Sequence, residues 1–224
     1  MNTIPPPPPQ PQRSHTGKSI GIGCGSLLAL LILGGFIGYA LVKTLVVGLM
    51  EQYTDTQPRD LPQLSMPETQ AREVCVRVNA FQAALKDGKA SEPLLLSGDD
   101  INALIKYHPS WSKAASNVYV SVENSKIRGE ISIPLEGISQ KAKGRYLNGS
   151  GVISAQLMDG RLLIFLDSLE VKGKDVPEEF IKAFRSENLA KDVNENEKMA
   201  ESLARLESIT VRDGQVRIVP KQVK

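Results

Sequence analysis

Side chains able to do nucleophilic, acid-base or metal chemistry are few: two histidines, His15 and His108, two cysteines, Cys24 and Cys75, and scattered carboxylates. A nucleophile needs a base within hydrogen-bond reach, and the base needs a group that orients it. His108 stands just before Pro109 at what reads as a helix end, where an imidazole caps carbonyls rather than abstracting protons. Cys75 falls on the apolar stripe of a helix and reads as a small buried hydrophobe, with no His or basic cluster beside it to lower its pKa. Asp99 and Asp100 open a helix, where acids complement the dipole. Asp159 and Asp167 could form a hydrolytic acid pair, yet no base, metal site or oxyanion device accompanies them, and a turn already accounts for Asp159. No GxSxG, Walker loop, HExxH, paired-cysteine metal site or EF-hand loop occurs. The sequence therefore assigns no catalytic, cofactor-binding or metal-ligating residue and predicts a protein that is not an enzyme.

The elements that would position any site divide sharply along the 224 residues. Residues 1–18 hold six of the fourteen prolines and read as an extended, solvated tail on the cytoplasmic side. From Ile20 to Val42 there are 23 residues without a charge. As a helix they would span about 35 Å, enough to cross a hydrocarbon core of about 30 Å. The segment 19–50 is thus predicted to be a transmembrane signal-anchor of a single-pass protein in the cell (inner or plasma) membrane. Arg13 and Lys18 precede the run and Lys43 follows it. The bias is slight, and the long carboxyl-terminal part sets the orientation, with the amino terminus cytoplasmic and the domain extracytoplasmic. Cleavage after Ala40 would release the domain, but the run is longer than an ordinary signal core. Cys24 precedes the apolar stretch rather than following it, which excludes a lipoprotein acceptor. Gly34 and Gly38 have the small-xxx-small spacing that permits helix–helix contact, and hence a homodimer through the membrane helix.

The formal net charge of +2 is a partition. Three of the 27 Lys and Arg, and none of the 25 Asp and Glu, lie before residue 51, so the rest carries 24 cations against 25 acids. A domain with that balance has no basic footprint for nucleic acid. Outside the apolar run Cys75 stands alone, so the domain has no internal disulfide.

Residues 51–64 read as a linker and 65–224 as an extracytoplasmic α+β domain. Ser65 and Glu68 predict a capping box for a helix carrying Ala71, Val74, Cys75, Val78, Phe81 and Leu85 on one face. Ser97 and Asp100 predict a second, with Leu96 stapled onto Ile101 and Pro109 as its stop. Alternating residues then predict hairpins around Asn124-Ser125, Asp159-Gly160 and Asp213-Gly214. Before the last of these, a helix capped by Asp175 with Glu178 carries Phe180, Ile181 and Phe184, and a further stretch runs from Leu189 to Leu206. The order predicts an antiparallel meander sheet with helices on one face. In Leu162–Leu166 both strand faces are apolar, which means either a buried central strand or a hydrophobic concavity. At strict alternation Leu163, Phe165, Leu169 and Val171 would form the ligand-facing side of such a concavity.

The element Leu96, Ser97, Asp100, Ile101, Asn102, Leu104, Ile105, set between an amino-terminal anchor and Asp-Gly hairpins, resembles one found in membrane-anchored bacterial proteins of the YpmS type. The resemblance covers about a dozen residues, and the proline-rich tail and strand spacing depart from it. It carries over no catalytic residue and implies an accessory role in the bacterial envelope. Two functions are expected to compete: binding of a partner protein or envelope component, and carriage of a lipid in an apolar cradle. An anchored hydrolase is the third and weakest reading. The expected partners are the membrane and an envelope protein or lipid, with no cofactor.

Overall fold

The computed structural model describes residues 53–89, 91–109, 111–137 and 142–222. The proline-rich tail, the whole of segment 19–50 with Cys24, Gly34, Gly38 and Ala40, and residues 51–52 lie outside the described residues. Among the described residues no helix is long and apolar enough to cross a membrane.

The fold is α+β, with antiparallel strands throughout. Its elements are α1 (Glu68–Lys86), β1 (Leu94–Ser97), α2 (Gly98–Tyr107), β2 (Val118–Glu123), β3 (Lys126–Pro134), β4 (Tyr146–Met158), β5 (Arg161–Val171), β6 (Lys174–Asp175), α3 (Glu178–Ser186), α4 (Lys191–Glu195), α5 (Glu197–Ala204), β7 (Leu206–Arg212) and β8 (Gln215–Pro220). The expected single meander is two sheets, one ordered β2-β3-β4-β5-β6 and the other β1-β8-β7. The difference comes from β1, which pairs Leu94 with Ile218 and Leu96 with Val216. Four residues running directly into a helix cap carry too little alternation to announce a strand.

Four hairpins close with two-residue turns, as the registers Glu123↔Lys126, Met158↔Arg161, Val171↔Lys174 and Arg212↔Gln215 show. Asp159-Gly160 and Asp213-Gly214 have positive φ at both positions, the requirement of a type I′ turn. Lys172-Gly173 does the same without an Asn or Asp to signal it.

Two expected caps are replaced for one reason. Helix α1 begins at Glu68 behind Pro67 and α3 at Glu178 behind Pro177, and neither Ser65 nor Asp175 caps. The residue preceding a proline is driven out of the α region. Met66 and Val176 therefore cannot be first helical residues, and each helix starts after its proline. Asp175 instead belongs to β6, and Glu68 pairs with Arg72 at 2.6 Å. Ser97 caps α2 as expected, its Oγ accepting from the Asp100 N–H while Asp100 accepts from the Ser97 N–H.

The core lies on one face of the large sheet. Val120, Ile127, Ile131, Leu147, Ile153, Ile164 and Leu166 are buried there, with α1 and α2 toward the β2 end and α3–α5 toward the β5 end. Ala71, Val74, Val78, Phe81 and Leu85 of α1 are buried as the stripe predicts. The side chains of Phe180 and Phe184 lie outside the described set.

Of the stretch 51–64 expected as a linker, residues 53–59 dock against the sheet. Tyr53 and Thr54 are buried, and Asp55 exchanges both backbone hydrogen bonds with Tyr146 at 2.9 and 2.8 Å. The Asn148 amide donates to Asp55 Oδ2 and to the Gln57 carbonyl, and the Arg59 N–H is shared by Ser132 Oγ and Asn148 Oδ1. Polar composition concealed this because the segment is held by hydrogen bonds rather than by an apolar face.

Candidate functional site

Strand β3 begins at Lys126, opposite the middle of β4, and β4 runs on to Met158 with no ladder on that side. Strand β7 lies alongside this overhang without joining it, and the β7–β8 turn meets the β2–β3 turn through the Gly214 N–H and the Asn124 carbonyl at 3.2 Å. The gap at this fork is a cleft of about 380 Å³. Leu163 and Phe165 of β5, paired with Gln156 and Ser154, give it an apolar floor. Ser125, Thr210 and Arg212 complete the rim. Beside Ser154 stands Asp167, which is held by Lys126 at 2.9 Å.

The four residues at strict alternation separate. The pairing shifts between Val152↔Ser168 and Ile153↔Leu166, so Asp167 is an extra residue, a β-bulge. Beyond it the inward positions change parity, and Leu169 and Val171 continue Leu162, Ile164 and Leu166 into the core, at 9% and 5% exposure. Of the four, Leu163 and Phe165 line the cleft. The sequence conceals the bulge, because Leu162–Leu166 is apolar at even and odd positions alike and shows no change of parity at Asp167. Thr210 and Arg212 had no sequence signal, since their strand belongs to the other sheet.

The residues singled out for chemistry are placed apart. Asp159 sits in its turn, while Asp167 lies six residues along β5 from Arg161, about 20 Å at strand spacing. Among the described residues no group of three or more His, Cys, Asp and Glu could hold a metal ion. Burial pushes the Cys75 thiol up, outweighing nearby Arg72, so it is not poised as a thiolate. His108 is the C-cap of α2, with its ring 5.4 Å from that of Trp111.

Burial lowers the His108 pKa below the ordinary histidine value of 6.5. The unfolded chain then binds more protons than the folded one as pH falls through that range, so acidification weakens the fold. Thermal melts between neutral and mildly acidic pH should show a loss of stability that His108→Asn diminishes. Equal pH dependence in the two proteins would remove the imidazole from the account.

The motif element Leu96–Ile105 proves architectural. Leu96, Ile101, Leu104 and Ile105 are core residues, and Ser97 with Asp100 forms the cap. Gly98 lies so close to β2 that a Cβ there would stand 3.2 Å from Ser121 Cα and the Val120 carbonyl. Asn102 is buried, donating to the Val120 carbonyl at 2.7 Å and accepting its N–H at 2.9 Å. Its amide thus satisfies both outward backbone groups of Val120 on the open edge of β2. At the other edge Asn188 and Asn194 do the same for β5, accepting from the N–H of Ile164 and of Leu162 and both donating to the Leu162 carbonyl. These three asparagines close sheet edges that would otherwise template foreign strands.

No protein-family model, curated protein or solved structure matches this chain.

Proposed function

We propose that this chain is a non-enzymatic, single-pass envelope protein whose extracytoplasmic domain binds a partner protein through the fork cleft. The cleft carries the reading: half-buried Leu163 and Phe165 form an apolar floor, rimmed by hydroxyls, the Gln156 amide and the Arg212 guanidinium. Such a mixture suits a protein side chain seated among polar contacts. The apolar run Ile20–Val42 and the resemblance of the Leu96–Ile105 element support the location and the accessory role. Gly34 and Gly38 remain the proposed contact if the membrane helix dimerises. The lipid-carrier alternative is weakened by the loss of Leu169 and Val171 to the core, which leaves a short floor. The test is photo-crosslinking in cells from the full chain with benzoylphenylalanine at Phe165. A discrete protein adduct that vanishes when the probe is moved to Val76, exposed on α1, is the expected result. A lipid adduct supports the carrier, and no adduct at Phe165 removes the cleft from the function.

A further inference from the structure

The chain enters the domain at Tyr53, only ten residues after the apolar run ends at Val42. Fully extended, ten residues reach at most about 35 Å. The end of the sheet that holds Tyr53 is therefore tethered within about 35 Å of the bilayer, if the run is the anchor proposed above.

That end is formed by two connections brought level by the sheet. Asp55 bridges to Tyr146, the first residue of β4, and the Lys172 N–H donates to the Asn148 carbonyl, so the β5–β6 turn sits beside the start of β4. Lys143 and Arg145 lead into β4, and Lys172 and Lys174 flank Gly173 in the turn. Arg145 and Lys172 also grip the entering chain, through Thr54 Oγ1, the Thr54 carbonyl and, at 3.5 Å, Asp55 Oδ1. Lys143 and Lys174 are exposed. The carboxylates are placed differently. Asp55 is held by Lys172 and Asn148, Glu170 and the exposed Asp175 face each other one register position behind the turn, and Glu136 stands exposed in the β3–β4 connection.

We infer that this end of the domain seats on the anionic headgroups of the bilayer, with Lys143, Lys172 and Lys174 as contacts. The inference rests on the anchor reading and adds to it a fixed orientation: β3 spans nine residues, so the fork cleft at its Lys126 end is held roughly 30 Å from the membrane. A basic surface carries this because each lysine near an anionic leaflet gains about fivefold in residence there, and the gain is screened by salt.

The full chain is reconstituted into vesicles of phosphatidylcholine, and separately of phosphatidylcholine with phosphatidylglycerol. Lysine acetylation rates are then read by mass spectrometry. Lys143 and Lys174 are expected to label roughly fivefold more slowly in the anionic vesicles at low salt, Lys126 to be unchanged, and high salt to abolish the difference. In K143E/K174E, Lys172 should label at one rate in both vesicles. A chain that floats with both vesicles but labels identically leaves the anchor standing and overturns the seating. A chain that floats with neither removes the anchor and the seating together.

Discussion

A chain beginning at Ser65 is expected to be less stable to urea than one beginning at Tyr53 by about 3 kcal/mol, with a lower midpoint. The twelve residues between supply the Asp55–Tyr146 backbone pair, the Arg59–Glu130 ion pair at 2.9 Å, and four hydrogen bonds to or from Ser132 and Asn148. Net values of about 0.5 to 1.5 kcal/mol per bond exceed the ordering entropy regained only because the bonds share partners and include charged groups. Truncation also uncovers Tyr53's site and leaves Arg145 without Thr54. Domains of this size are stable by about 5 to 15 kcal/mol, so the shortened chain should fold but melt several degrees lower. Equal urea midpoints would show that the segment is a passive tether, and the described contacts incidental.

Asn102→Ala should cost a similar amount, about 3 kcal/mol, from a change of one side chain. Removing the amide strands the N–H and carbonyl of Val120, which Asn102 alone satisfies on that edge, at a position 1% exposed where water does not substitute. Asn194→Ala should cost less, because Asn188 continues to donate to the Leu162 carbonyl. Urea denaturation of the two variants checks the order: a smaller loss at Asn102 than at Asn194 would refute the account of how the edges are closed. Asn102 variants should also aggregate more readily than Asn194 variants, since the freed groups lie on an edge strand.

Much of the fold was legible because local chemistry fixes it. Asp159-Gly160 and Asp213-Gly214 gave turn type, and hence strand register on both sides. Ser97 and Asp100 gave the start of α2 to the residue. The same reasoning missed at Ser65 and Asp175, where a proline two positions on outweighs a cap worth about 1 kcal/mol. Of the proposed ligand face, Leu163 and Phe165 reach the cleft and Leu169 and Val171 do not, because one inserted residue reverses every later side chain.

By itself, the sequence determined what depends on nearest neighbours along the chain: the two-residue hairpins, the apolar stripe of α1, the charge partition, and an uncharged run of membrane-spanning length at Ile20–Val42. Only the tertiary structure decided what depends on partners far apart in sequence. It split the strands into two sheets by pairing β1 with β8, docked residues 53–59 against the large sheet, and set Thr210 and Arg212 against Leu163 and Phe165. The physical reason is that a strand edge or a buried amide accepts any partner of suitable geometry. Composition names the groups that must be satisfied, and only the folded chain shows which group satisfies which.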